Sequence, residues 1–204
     1  AARDTAYSEI TDQGSLNLLV TGGSQGARVL SDVVPAALAA LNDNLKKRLT
    51  VTQQCRAEDL ERVGKVYGEA GIKADLNSFF DDVPQRLAAA HLVIARAGAS
   101  SVAEMTAVGG PSILVPLPHA LENHQFVNAQ AVDEAGAGWL MAEDVFTAER
   151  LAGRLASLFE NPRHLSHAAT AAKRIGRPDA AHALADLVAE MIPNGHSGEG
   201  RKAA

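Results

Sequence analysis

Apolar residues occur in short runs that alternate with stretches of helical spacing. The first run, residues 16–21, is almost continuously apolar and ends at glycines, which is typical of a buried parallel strand. Residues 27–41 then space their apolar side chains as an amphipathic helix does. The same alternation predicts further strands at 49–55, 72–79, 91–96, 112–117 and 138–141, with helices at 57–70, 81–90, 101–108 and 123–135.

Strands alternating with helices in this way predict an α/β fold: a Rossmann-like, doubly wound parallel sheet with helices on both faces. From residue 147 the pattern is purely helical and predicts extra C-terminal helices at 147–159, 163–174 and 178–191. Residues 193–204 have no apolar periodicity and are predicted to form a disordered tail. We therefore expect one domain over 15–192, preceded by a leading segment, residues 1–14.

Composition narrows the class of protein. The 204 residues include 19 Lys and Arg against 24 Asp and Glu, so general affinity for nucleic acid is not expected. The single cysteine, Cys55, excludes an internal disulfide and is expected to be a small core residue in a reducing compartment. The start of the chain has neither a methionine nor an apolar leader core, so we expect a chain entered part-way along and not a secretory leader.

The turns that follow the strands are the places to look for a ligand site, because ligands bind beyond the carboxyl ends of parallel strands. Residues 22–28, Gly-Gly-Ser-Gln-Gly-Ala-Arg, would let the backbone approach a phosphate, and Ser24 adds a hydroxyl donor. A tight turn needs glycine for conformational reasons alone, so both interpretations stay open. The spacing fits neither a dinucleotide fingerprint nor a P-loop, which disfavours a conventional NAD site or a Walker hydrolase.

The turn after the fourth strand, residues 96–104, also allows two interpretations. Ser101 and Glu104 have the spacing of a capping box, with the serine as N-cap and the glutamate three residues on. Alternatively, this helix start holds a second phosphate while Glu104 accepts hydrogen bonds from a sugar diol. These residues alone favour the cap.

The turn after the fifth strand, residues 116–128, is rich in neutral hydrogen-bonding groups. Gln125 and Asn128 lie three apart at a helix start, an arrangement suited to sugar hydroxyls, although a solvated helix start gives the same pattern. His119 and His124 do not make a persuasive metal site, since no carboxylate pair accompanies them.

Four segments occur in a specific order: GGSQGAR at 22–28, FFDDV at 79–83, RAGASSVAE at 96–104 and HQFVNA at 124–129. Together they resemble the carboxy-terminal half of the MurG family of bacterial transferases, in glycosyltransferase family 28, over nearly all of 15–192. The resemblance implies a GT-B fold whose carboxy-terminal domain holds UDP-GlcNAc. It also implies an inverting hexosyltransferase without cofactor or metal, which adds GlcNAc to undecaprenyl-pyrophosphoryl-MurNAc-pentapeptide (lipid I to lipid II) in peptidoglycan synthesis, a process of cell-wall biogenesis, cell shape and cell division.

The resemblance also implies roles for particular residues. Ser24 would contact the donor phosphates, the backbone at Phe80 would read the uracil edge, and Gln125, assisted by Asn128, would bind GlcNAc hydroxyls. Glu104 would bind the ribose hydroxyls, and with the resemblance this role is favoured over the role in a capping box. The full set of expected UDP-GlcNAc-binding residues is Arg3, Ser24, Phe80, Ala99, Ser100, Ser101, Val102, Ala103, Glu104, Gln125 and Asn128.

Two departures from the family pattern keep its hydrogen-bonding capacity. Ser100 and Ser101 stand where many relatives have leucine and threonine, and His124 stands where some have a second glutamine.

The resemblance assigns acceptor binding and membrane attachment to an amino-terminal domain that we expect to be missing here. It implies a peripheral protein on the cytoplasmic face of the bacterial inner membrane, with no catalytic residue in this chain. We therefore expect UDP-GlcNAc binding without transfer by the chain alone. The alternatives are the donor subunit of a two-chain GlcNAc transferase, a UDP-GlcNAc 2-epimerase and a non-catalytic UDP-sugar-binding module.

Overall fold

The computed structural model describes residues 5–11, 14–23, 26–118 and 123–191, and at Ala181 the backbone alone. Arg3, Ser24, His119 and the predicted tail lie outside these ranges. What was predicted for them stays a prediction.

The described residues form one parallel sheet of six strands, in the order β3-β2-β1-β4-β5-β6. The direction in which strands are added reverses between β1 and β4, and ligands bind at such a switch point in open α/β sheets. The predicted fold class is confirmed. The strands are β1 Leu16–Thr21, β2 Leu49–Gln54, β3 Lys73–Asn77, β4 Leu92–Ala95, β5 Ser112–Leu114 and β6 Gly138–Leu140.

Helices connect the strands and continue after the last one. Short 3-10 turns lie at Ala57–Asp59 and Glu143–Val145. The described helices are α1 Arg28–Ala39, α2 Asp43–Arg48, α3 Leu60–Glu69, α4 Val83–Ala89, α5 Ala99–Val108, α6 His124–Glu134, α7 Ala148–Glu160, α8 Arg163–Ile175 and α9 Ala180–Met191.

The sheet has a separate hydrophobic core on each face, because neighbouring residues of a strand point to opposite sides. Leu18 belongs to the larger core, which includes Leu30 of α1 and Leu155 of α7. The adjacent Leu19 belongs to the second core, which includes Met105 of α5. Both faces are therefore covered by helices, as a doubly wound sheet requires.

Two local expectations were wrong. The helix α2 was not anticipated; Asn42 caps it by accepting a hydrogen bond from the Leu45 amide. The capping box at Ser101 is also incorrect, because α5 begins at Ala99 and Gly98 is its N-cap. The amide of Val102 donates to the Gly98 carbonyl at 2.9 Å, which places Ser101 inside the first helical turn.

The other boundaries differ from the prediction by a few residues. The strand β5 stops at Leu114, short of residue 117, and Pro116 has no N–H to continue the ladder. Gly109 ends α5 in the left-handed conformation at φ 76°, where glycine is not strained. Cys55 is a free, buried residue of the larger core, as expected.

The described part of the leading segment packs against the sheet. The Tyr7 hydroxyl donates to the carbonyl of His91 at 3.1 Å, just before β4. The Arg48 guanidinium donates to the carbonyl of Thr11 at 2.8 Å, and Ile10 is buried. Residues 5–11 are thereby held near the amino-terminal ends of the strands, opposite the turns where a ligand would bind.

Candidate functional site

The turn between β1 and α1 depends on its glycines. A Cβ on Gly22 would lie 2.2 Å from the amide nitrogen of Ala27, so only glycine fits there. Gly23 and Gly26 have φ values of 77° and 66°, which other L-residues rarely adopt. This conformation brings the backbone close to the start of α1, where the N-cap residue, Ala27, makes no side-chain cap hydrogen bond.

The start of α5 lies on the other side of the switch point and is similar. Gly98 is its N-cap, and no side chain makes a cap hydrogen bond there. Within the described residues, neither N-cap side chain satisfies the first amide groups of its helix, and both helix starts lie at the same sheet edge. Such helix starts attract anions, phosphate groups above all.

A cavity of about 260 Å³ lies between the glycine turn, the loop after β3 and α5. We call it the first cavity. The carboxylate of Glu104 faces it and forms no hydrogen bond or ion pair with another described residue. Its lining comprises Leu19, Thr21, Gly23, Gln54, Phe79, Phe80, Val83, Arg86, Leu87, Ser100, Ser101, Glu104 and Met105.

Arg86 holds the wall of the first cavity that contains Phe80. Its guanidinium carbon lies 4.1 Å from the centroid of the Phe80 ring, which is buried. The same group donates to Asp75 Oδ2 and Asp82 Oδ1, both at 2.6 Å. The hydrogen bond from Arg86 lowers the pKa of Asp82 below its usual range.

A second cavity, of about 450 Å³, adjoins the first and shares Gly23, Ser100 and Ser101 with it. Its described lining carries three guanidinium groups and one carboxylate, that of Glu143, so positive charge is in excess. The lining comprises Gly22, Gly23, Gly26, Ala27, Arg28, Val29, Arg56, Arg96, Gly98, Ser100, Ser101, Leu117, Gln125 and Glu143.

Two side chains of the second cavity are oriented by the loop after β5. Arg96 Nη1 lies 2.5 Å from Glu143 Oε2 and also donates to the carbonyls of Val115 and Pro116. Gln125 Oε1 accepts a hydrogen bond from the Leu117 amide at 3.0 Å. This bond fixes the side-chain amide of Gln125 at the cavity wall.

The structure brings together five of the predicted site residues and leaves the other described ones aside. Phe80, Ser100, Ser101, Glu104 and Gln125 line the cavities. The other described candidates, Ala99, Val102, Ala103 and Asn128, line neither.

The side chains of Asn128 and Val102 contact other parts of the protein and do not line either cavity. The Asn128 amide donates to the carbonyl of Ala97 at 3.0 Å, which joins α6 to the loop after β4. Val102 packs against the second core. The ligand roles expected of these residues remain predictions.

The predicted site set left out several polar residues that line the cavities, among them Thr21, Gln54, Arg56 and Arg86. The Thr21 hydroxyl donates to Gln54 Oε1 at 2.9 Å across the ends of β1 and β2. Gln54 and Arg56 end or follow β2, so the rule applied to the turns after the other strands would have found them. Arg86 carries no such signal, because it lies on α4.

Two other kinds of site are absent from the part of the chain that the structure describes. Among the residues with described positions, no group of three or more His, Cys, Asp or Glu side chains is arranged to hold a metal ion. Over the same ranges, no helix combines the length and apolar character that a bilayer crossing requires.

Comparison with known proteins identifies the family. The model of the Glycosyltransferase family 28 C-terminal domain matches residues 17–184. The chain is 58% identical over 194 residues to a UDP-N-acetylglucosamine--N-acetylmuramyl-(pentapeptide) pyrophosphoryl-undecaprenol N-acetylglucosamine transferase of Paramagnetospirillum magneticum, covering 95% of this chain and 52% of that protein. The transferase of the same name from Rhodospirillum centenum is 51% identical over 199 residues, with 97% and 52% covered.

A solved structure agrees with the sequence relatives. The crystal structure of Acinetobacter baumannii MurG matches with a TM-score of 0.81 and 29% identity, over 90% of this chain and 55% of that one. The chain thus spans about half the length of the curated relatives it matches. It belongs to glycosyltransferase family 28, whose C-terminal domain it contains.

Proposed function

We propose that this chain is the UDP-GlcNAc-binding half of an inverting transferase that adds GlcNAc to undecaprenyl-pyrophosphoryl-MurNAc-pentapeptide, converting lipid I to lipid II. The observation that carries the proposal is the pair of adjoining cavities, which share one wall at the switch point of the sheet. The two cavities and the wall between them form three neighbouring subsites. A sugar nucleotide likewise has three parts in a row: nucleoside, diphosphate and sugar. The 58% identity to a transferase with this donor and acceptor in its name supports the assignment.

The first cavity suits the nucleoside. Phe80 gives it an apolar wall, and the backbone of this residue is the proposed reader of the uracil edge. Glu104 has an acceptor-only carboxylate without a described partner, which matches the paired hydroxyl donors of a ribose. Its place in the second turn of α5 keeps it within the same cavity as Phe80.

The shared wall suits the diphosphate. The starts of α1 and α5 both reach this wall, their N-caps Ala27 and Gly98 make no side-chain cap hydrogen bond, and Ser100 and Ser101 add hydroxyl groups. Ser24 is the further hydroxyl that we propose for this subsite. Fixed amide dipoles stabilise negative charge without reorganising during the reaction.

The second cavity suits the sugar, and Gln125 is the proposed partner of its hydroxyls. In the transfer, the acceptor oxygen forms a bond to C1 of GlcNAc while the bond from C1 to the β-phosphate oxygen breaks. The bonding electron pair stays on that oxygen, UDP leaves, and the acceptor proton passes to water. This chain would bind the donor and stabilise the leaving group, with the acceptor held by another domain.

The fold leaves a surface for such a domain. Four large apolar side chains on α9 are exposed by 48–74%: Leu184, Leu187, Val188 and Met191. Their spacing places them on one side of the helix. We propose that the remaining half of the transferase covers them, and that it provides acceptor binding and attachment to the cytoplasmic face of the membrane.

Donor binding is tested by isothermal titration calorimetry of the 204-residue chain with UDP-GlcNAc. Glu104→Gln should weaken binding about tenfold, because a hydrogen bond to a charged group is lost. Glu149→Gln, an exposed change of the same kind on α7, is the matched control and should bind as the original chain does. Equal affinities for all three proteins would contradict the ribose assignment.

The division of labour is tested by incubating the chain with UDP-GlcNAc and a lipid I analogue. We expect no lipid II product from the chain alone. Turnover would show that it also contains the acceptor site. Formation of UDP-ManNAc would indicate epimerisation, whereas the family match favours transfer.

A further inference from the structure

Arg56 occupies an unusual place between β2 and the glycine turn. It precedes the 3-10 turn Ala57–Asp59 and lines the second cavity. Its stem lies beside the turn, since a Cβ added to Gly26 would be 3.2 Å from Arg56 Cγ. The side chain is exposed to solvent at the mouth of the proposed donor site.

The arginines of this cavity differ in their charge partners. Arg96 is paired with Glu143 at 2.5 Å, and Arg28 Nε lies 4.0 Å from Asp32 Oδ2. The guanidinium of Arg56 makes no hydrogen bond or ion pair with any side chain in the described ranges. Its charge is therefore the one among the three that no described carboxylate offsets.

We propose that Arg56 binds the diphosphate of the donor and stabilises the charge that UDP acquires as it leaves. This inference rests on the function proposed above. A guanidinium matches phosphate oxygens with two parallel hydrogen bonds and remains charged at any working pH. The starts of α1 and α5 bring amide groups to the same cavity, so the cation and the amides would act on one anion.

The role predicts a phosphate-specific defect. Uridine and UDP are titrated into the original chain, Arg56→Gln and Arg56→Lys by calorimetry. Arg56→Gln should weaken UDP binding about tenfold and leave uridine binding unchanged, because uridine has no phosphate. Arg56→Lys keeps the positive charge but not the planar guanidinium. Its UDP affinity should lie between those of the original chain and Arg56→Gln.

Arg154→Gln on α7 removes an exposed arginine outside both cavities and serves as the control, with unchanged binding of both ligands. The UDP defect of Arg56→Gln should also shrink as salt is raised, since salt screens exposed charges.

Each other outcome is decisive. Unchanged UDP affinity in Arg56→Gln, or an equal loss for uridine and UDP, would overturn the role of Arg56. If the original chain bound UDP no more tightly than uridine, the diphosphate subsite would be refuted while the nucleoside assignment survived. Binding of neither ligand would refute the proposed function as well.

Discussion

At the scale of single residues, a hydrogen-bonded pair of polar side chains, Tyr67 and Gln53, is buried beside the larger core. The Tyr67 hydroxyl donates to Gln53 Oε1 at 2.5 Å, and both side chains are buried. Burial raises the pKa of Tyr67 well above its usual range, so the hydroxyl stays protonated and remains a donor. The bond joins α3 to β2.

Tyr67→Phe removes this donor and leaves Gln53 Oε1 without it in a dry environment. We expect the free energy of unfolding to fall by about 1–3 kcal/mol, the usual effect of an unsatisfied buried group. Chemical denaturation measures it. In the double variant with Gln53→Leu both polar partners are gone, so the loss should be smaller than the sum of the single losses; strict additivity would contradict the interpretation.

Arg86 is the residue that ties Phe80 to two carboxylates. Arg86→Met keeps an apolar stem but loses the cation over the ring. Uridine affinity should fall about threefold, the effect of losing a modest cation–π contact that orients the ligand wall. Calorimetry with uridine checks this against Arg150→Met, an exposed change on α7; equal affinities would show that Phe80 needs no such support.

At the scale of secondary-structure elements, β1 and β4 meet at a histidine. His91 Nδ1 accepts the Asn17 amide hydrogen at 2.9 Å, and the ring is mostly buried. Burial lowers the pKa of His91 below its usual range. Protonation of Nδ1 would end this hydrogen bond at the start of the sheet.

Stability should therefore depend on pH through His91. The unfolded chain binds the proton more readily, with a pKa of about 6.5, so this contribution is complete above that pH and is lost as the pH falls through the lower folded-state pKa. His91→Asn keeps an acceptor but does not titrate. Denaturation at a series of pH values should give this variant the flatter profile; parallel profiles would contradict the assignment.

The elements also show what a sequence can and cannot predict. All six described strands were predicted in their order along the chain. The strands β1, β4 and β5 are short apolar runs because both of their faces are largely buried. The strand β2 instead alternates buried and half-buried residues, and β3 is polar and partly exposed. The start of α5 was misplaced, because serine is the stronger N-cap signal while the structure uses the weaker cap Gly98. The cap of α2 could have been found at Asn42, but six residues are too few to show helical periodicity. Arg86 could not have been placed at the cavity: Asp82 lies only four residues before it, but its contacts with Asp75 and the Phe80 ring depend on how the loop after β3 folds back.

At the scale of the whole molecule, the helices after β6 differ in how they are covered. Leu155 of α7 is completely buried in the larger core, whereas Leu187 of α9 is 53% exposed. An exposed apolar helix face of this kind is expected where another domain packs against the helix. Neither hydrophobic core of the sheet includes a described residue of α9.

Leu155→Ala should lower the free energy of unfolding by about 2–5 kcal/mol, because it opens a cavity in packed surroundings. Leu187→Ala should change it by less than about 0.5 kcal/mol. Denaturation of both variants makes the comparison. A large loss at Leu187 would show that α9 is part of this fold's own core.

The wall that the two cavities share has a consequence for selectivity. A ligand spanning both would have its sugar tethered by its nucleoside, so the second cavity would meet the sugar at a high effective concentration. Weak contacts to the sugar are then sufficient, and free GlcNAc should bind far less well than the same sugar linked to UDP. Discrimination among sugars would thus be visible only in the linked form, which protects such a site from the free sugars around it.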